Sequence, residues 1–152
     1  MRYLVLALSL VACSATASPA EREGWAVIET NHAYQNLIDR VKTAAKANKM
    51  GVVTEAGPTG AAANRGVTIP GNRVIGVYNN DFAVRMLEAS EAAMIEAPIR
   101  FYVTEQEDGT ATLSYKTPSL VFSPYAEDST EVMLIAKELD VVFEKIAEDA
   151  VK

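Results

Sequence analysis

The 152-residue chain has one cysteine, one histidine and one tryptophan, and its 14 Lys and Arg are outnumbered by 20 Asp and Glu. Each scarcity excludes something. A single cysteine cannot form an intramolecular disulfide, and with a single histidine it cannot assemble a Cys/His structural zinc site. A net charge of −6 leaves no basic footprint for nucleic-acid phosphates. No general catalytic or cofactor motif is present, so neither a cofactor nor a metal is expected. What is there is an ordinary globular composition, 49% hydrophobic and 22% charged, which fits one folded domain and argues against disorder.

The amino terminus has the pattern of a targeting segment. Arg2 precedes the apolar run Leu4–Ala12, which is too short for the roughly 20 residues that span a bilayer but suits a secretory signal. Ala15-Thr16-Ala17 is an A-x-A site, which predicts a signal peptide over residues 1–17 and a single domain over 18–152. Leu10-Val11-Ala12-Cys13 offers a second reading, a lipoprotein signal with Cys13 lipidated; several acyl chains there would anchor the domain stably. Either route leads to the bacterial envelope: the periplasm in the first case, a lipid-anchored position in the second. Removing Arg2 with the leader takes the net charge to −7 and leaves no cysteine.

The mature chain alternates strand and helix signals. Trp25–Thr30 is rich in aromatic and β-branched residues and predicts a strand. Asn31 is placed as the cap of a helix reaching about Asn48, with Tyr34, Leu37, Val41 and Ala45 on one stripe and Gly51 closing it. Val52–Glu55 and Arg73–Tyr78 predict strands, separated by Gly57–Gly60 and one short helical turn within Ala61–Arg65. Asn79-Asn80-Asp81 caps a helix over Phe82–Ala89, with Asp81 in the cap position. Pro98 opens a strand in which Ile99, Phe101 and Val103 alternate with Arg100, Tyr102 and Thr104; Asp108-Gly109 turns it into Thr110–Lys116. The last helix begins at a capping box formed by Asp128 and Glu131 and carries the stripe Ile135, Leu139, Val142, Ile146, Ala150. This order predicts an α+β fold: an antiparallel-rich sheet with two long helices on one face.

Candidate chemistry is sparse. His32, the only histidine, sits near a helix start; with Tyr and carboxylate groups it is the one route to a small hydrolase or lyase, though no partner is fixed by spacing. Met50, Met86, Met94 and Met133 do not cluster at ligand spacing and fit core packing. Glu105, Glu107 and Asp108 fall at a hairpin tip, where carboxylates are solvated. Tyr78, Tyr102, Tyr115 and Tyr125 suit a pocket or a dimer seam as well as sheet packing. The ligand-binding candidates are Asn79, Asn80, Asp81 and Arg85, because a strand-to-helix junction presents free backbone N–H groups to an anion and Arg85 lies one turn in.

These segments resemble the family known as domain of unknown function 302. The resemblance rests on Ala61–Gly66, Tyr78-Asn79-Asn80, Met86-Leu87, Pro98-Ile99-Arg100, Asp108-Gly109 and Tyr115–Pro118, and it covers most of the mature chain. Many members carry Asp-His where Gly57-Pro58 stands here, and Phe-Gly-Asn-Pro where this chain has Val77–Asn80. The resemblance implies a TATA-binding-protein-like β-α-β(4)-α arrangement and a homodimer, and it brings no activity with it. Together the residues point to a non-enzymatic binding, sensing or interaction module of the envelope, with a small ligand or an envelope protein as partner.

Overall fold

The computed structural model describes residues 22–152. The expected signal peptide, its cleavage site and Cys13 lie outside the described residues. Five strands, β1 Trp25–Ala33, β2 Gly51–Ala56, β3 Asn72–Tyr78, β4 Ile99–Glu105 and β5 Thr110–Lys116, form one sheet in the order β1-β5-β4-β3-β2, every neighbouring pair antiparallel. Helices α1 (Tyr34–Ala47) and α5 (Thr130–Val151) are long; α2 (Thr59–Ala63), α3 (Asn80–Ala89) and α4 (Pro118–Phe122) are shorter, with 3₁₀ turns at Ala92–Glu96 and Ser123–Tyr125. The order is the expected β-α-β(4)-α arrangement with short helices inserted in its loops. β1 and β2 occupy opposite edges and run parallel, so α1 must cross the whole sheet to join them. It touches all five strands on the way.

Alternation in the strands decides where the core lies. Ile75, Val77, Ile99, Phe101, Val103, Ala111, Leu113 and Tyr115 all point to one face and are buried. Period-two patterning puts such residues on the same side. On that face α1 lays Leu37, Ile38, Val41, Ala44 and Ala45, and α5 lays Ile135, Leu139, Phe143, Ile146 and Ala150. α1 and α5 also pack against each other. Phe143 stacks on Phe101 at 4.6 Å between ring centroids and leans on Tyr115 at 5.7 Å. Burial pushes the Tyr115 hydroxyl pKa above the ordinary tyrosine value, and the nearby carboxylates of Glu144, Asp140 and Glu148 add to it.

Several boundaries differ from the sequence expectation, each for a tertiary reason. Asn31 is not a helix cap: β1 continues to Ala33, which pairs with Thr110, and the Thr30 hydroxyl donates to the Ala111 carbonyl. Gly51 does not close α1 but opens β2 opposite Tyr78; the turn is made earlier by Lys49, in the left-handed region at φ 60°. α5 is capped by Ser129, whose Oγ accepts from the Glu131 N–H, while Asp128 accepts the Ser90 hydroxyl proton instead. α4 falls where the sequence pattern predicts no helix. Thr117 Oγ1 caps it at Leu120 N, and the Asp140 carboxylate of α5 accepts the Ser119 N–H at 2.8 Å.

Candidate functional site

Asn79, not Asp81, is the N-cap of α3. Its Oδ1 accepts the backbone N–H of Asp81 at 2.8 Å and of Phe82 at 3.3 Å, and its Nδ2 donates to the Lys49 carbonyl at 2.9 Å. The free N–H groups expected to hold an anion are therefore used locally. Asn80 is the first helical residue, and Asp81 is exposed in the first turn, where its charge suits the helix dipole. Arg85 faces away from this cap toward α5. Its guanidinium meets Glu138 through two hydrogen bonds of 2.7 and 2.8 Å and Glu131 through one of 3.2 Å. Those bonds raise the Arg85 pKa and lower that of Glu138. Sequence brings these four residues to one junction; the fold gives them two separate jobs, a cap and a strut between helices.

Beneath α3 lies a small apolar cavity of about 30 Å³, bounded by Met50, Phe82, Met86, Met94, Phe122 and Leu139. That is room for about one water in a dry wall, which marks incomplete packing and not a ligand chamber. His32 is engaged elsewhere. Its Nε2 lies 3.2 Å from the Val151 carbonyl, and Arg40 Nε donates to the Ala150 carbonyl at 2.6 Å. Both side chains close the C-terminal end of α5, where a helix has unpaired carbonyls and favours donors. Tyr125 donates to Glu96, which raises its pKa. Among the described residues no group of three His, Cys, Asp or Glu is set to hold a metal, and no helix is long and apolar enough to cross a membrane.

The side of the sheet opposite α1 and α5 carries the other half of each strand's alternation. Cross-strand register arranges it in rows. One row reads Trp25, Lys116, Arg100, Gly76 and Thr54; the next reads Val27, Ser114, Tyr102, Val74 and Ala56. The ladder that sets Phe101 opposite Tyr115 brings Arg100 and Lys116 side by side, one residue further on. Adjacent strands stand only about 4.8 Å apart, and like charges directly opposite are unfavourable. Gly76 lets its neighbours close in on the backbone of this row: a Cβ there would meet Thr54 Oγ1 at 2.1 Å and Pro98 Cγ at 2.9 Å. Next to it opens a groove of about 460 Å³ lined by Trp25, Asn72, Val74, Arg100, Tyr102 and Lys116 among others, with no Asp or Glu in its wall. Lys116 Nζ lies 5.6 Å and Arg22 5.7 Å from the Trp25 ring centre, within cation–π range. Asn72 donates to the Tyr102 hydroxyl. The buried hydroxyls of Ser114 and Thr104, on this same face, have no hydrogen-bond partner among the described residues.

Sequence reasoning missed this gathering. Its signal was present in part. Arg100 and Tyr102 alternate with the core positions of β4, and basic and aromatic residues on an outward face are conspicuous in an acidic chain. The β4–β5 hairpin could be read from spacing, but that β1 pairs with β5 and β3 with β4 could not.

One antiparallel sheet, helices across one face and a polar, aromatic surface on the other define an α+β domain with the β-α-β(4)-α arrangement. The model of the family described as Domain of unknown function DUF302 matches residues 26–150, and the chain belongs to that family. Its fold is similar to the crystal structure of an uncharacterized conserved DUF302 protein from Bacillus stearothermophilus, with a TM-score of 0.72 and 16% identity over 86% of this chain and 100% of that one. No curated protein matches the sequence.

Proposed function

We propose that the protein is an exported, non-enzymatic binding module of the bacterial cell envelope that works through the open face of its sheet. The observation that carries this reading is the groove beside Gly76, where Trp25, Tyr102, Arg100 and Lys116 converge without a carboxylate. At about 460 Å³ it falls within the range of small-ligand sites, roughly 300–1,000 Å³. Export rests on the amino-terminal pattern, the basic Arg2, the apolar run and the A-x-A site. The Asn79–Arg85 junction is set aside as the ligand site, because its cap and its guanidinium already have partners.

Native mass spectrometry of the protein purified from its own envelope tests the reading. The expected result is a chain beginning at Ser18, or a lipid-bearing chain beginning at Cys13, with a small molecule retained by the wild type and lost from Tyr102→Ala. The same spectrum gives the subunit count and so tests the homodimer. A chain still starting at Met1, or a ligand held equally by Tyr102→Ala, would overturn the corresponding half of the proposal.

A further inference from the structure

We infer that the open-face groove takes a small anionic molecule with a flat apolar ring, an aromatic carboxylate or sulfonate in kind. The inference rests on the reading of that face as the binding surface and adds the ligand's chemistry. Arg22 and Lys116 lie within cation–π range of Trp25 and Arg100 lines the same groove, and none of them forms an ion pair among the described residues. The chain has acids to spare: Lys42, Arg73, Arg85, Lys145 and Lys152 all find carboxylates. Yet the groove has none. Arg100 and Lys116 therefore sit side by side with their mutual repulsion uncompensated, and an anion between them relieves it.

Trp25 on β1 and Tyr102 on β4 line the same groove in neighbouring rows, with Asn72 and Val74 beside Tyr102. Trp25 and Tyr102 stand two strands and one row apart, about 12 Å along the sheet, which leaves room for a flat ring between the two aromatic side chains. Val74 and Val121 extend the apolar floor. A flat ring gains contact with these walls, while its acidic group reaches Arg100 and Lys116. A compact inorganic anion would use the cations and leave the aromatic walls bare. A cationic or neutral ring would use the walls and leave the cations unpaired. A second copy of the chain, itself acidic, is the other occupant the test must separate.

Trp25 is the only tryptophan, so its emission reports on this groove alone. The matched probes are anilinonaphthalene sulfonate and phenylnaphthylamine, the same ring system with and without the anionic group. Energy transfer from Trp25 is followed during titration of the envelope-purified protein, its Arg100→Gln, Lys116→Gln double variant and its Tyr102→Ala variant; all three side chains lie on the sheet's uncovered side, so the fold is retained. The expected result is saturable transfer to the sulfonate with an affinity on the order of tenfold above the neutral amine, the worth of one charge-assisted hydrogen bond. The double variant should lose that advantage, and Tyr102→Ala should weaken both dyes. Equal affinity for the two dyes, or an advantage that persists in the double variant, overturns the anionic class while leaving the face as a binding surface. Absence of saturable transfer from either dye overturns both. A dimer in light scattering that excludes the dyes, and whose dilution shifts Trp25 emission to the red, assigns the groove to a second copy and also overturns the inference.

Discussion

Phe143 is the side chain on which the joining of α5 to the sheet most depends. It is fully buried, stacked on Phe101 at 4.6 Å and in contact range of Tyr115 at 5.7 Å. Phe143→Ala removes a ring from a site walled by the sheet on one side and by α5 on the other, so the space collapses poorly. Such truncations cost about 3–5 kcal/mol, and the two aromatic partners add on the order of 0.5–1.5 kcal/mol beyond the area lost. A single domain has only about 5–15 kcal/mol of stability in all, so the variant should lose a large fraction of it. Phe143→Leu keeps most of the volume and should cost under about 2 kcal/mol. The control lies on the same helix: Leu134, 53% exposed, points to solvent, and Leu134→Ala should change stability by less than about 0.5 kcal/mol. Urea melts followed by circular dichroism, with the slope checked for constancy, give all three values. A loss below about 1 kcal/mol for Phe143→Ala at unchanged slope, or a Leu134→Ala loss as large as that of Phe143→Ala, would refute this account of how α5 docks.

Two glycines should respond in opposite directions. Gly76→Ala places a Cβ 2.1 Å from Thr54 Oγ1 and should destabilise by about 1–3 kcal/mol, whereas Gly60→Ala in α2 meets nothing within 4 Å and should stabilise by about 0.4–1 kcal/mol; thermal melts of the pair check the signs. Asn79→Ala removes the cap of α3 and the tether to Lys49, and should lower stability by about 0.5–2 kcal/mol in urea melts while leaving dye binding on the open face unchanged. Arg85 holds the Glu138 carboxyl below its ordinary value of 4.5, and Lys145 with Asn48 holds Asp149 below 3.8. Groups so depressed add stability that is complete above those ordinary values and is lost as pH falls through the lower folded ones. The urea midpoint should therefore drop between pH 5 and pH 3, about the range in which these carboxylates titrate, and Arg85→Gln should flatten that drop; parallel profiles for the two proteins would refute the pairing.

The contrast between Arg85 and Arg100 shows why residue type alone does not locate a site. Both are arginines on regular elements of an acidic chain. Arg85 meets Glu138 and Glu131 on α5, and its charge is spent on holding two helices together. Arg100 meets Lys116 across β4 and β5 and forms no ion pair among the described residues. An arginine with carboxylates already around it stabilises a structure; one beside another cation is available to a ligand. Gly57 makes a related point. A Cβ there would lie 2.1 Å from the Asn72 carbonyl oxygen, so this loop is built around the absence of a side chain.

Local pattern determined a good deal. The alternation in β4 and β5, the Asp108-Gly109 turn and the apolar stripe of α5 depend on neighbours within a few residues, and so the hairpin, the last helix and the α+β class were legible from spacing alone. Caps were legible only to within a residue or two, because Asn79, Asn80 and Asp81 are equally good cap residues and packing chose among them. The extension of β1 to Ala33 was not legible at all, since it depends on a ladder to Thr110, far along the chain. Nor were the pairing of Arg85 with α5 and the meeting of Trp25, Lys116 and Arg100. Spacing along a chain encodes which side of an element a residue faces; which element comes to lie beside it is decided when the whole core closes, and both the strut and the groove exist only at that level.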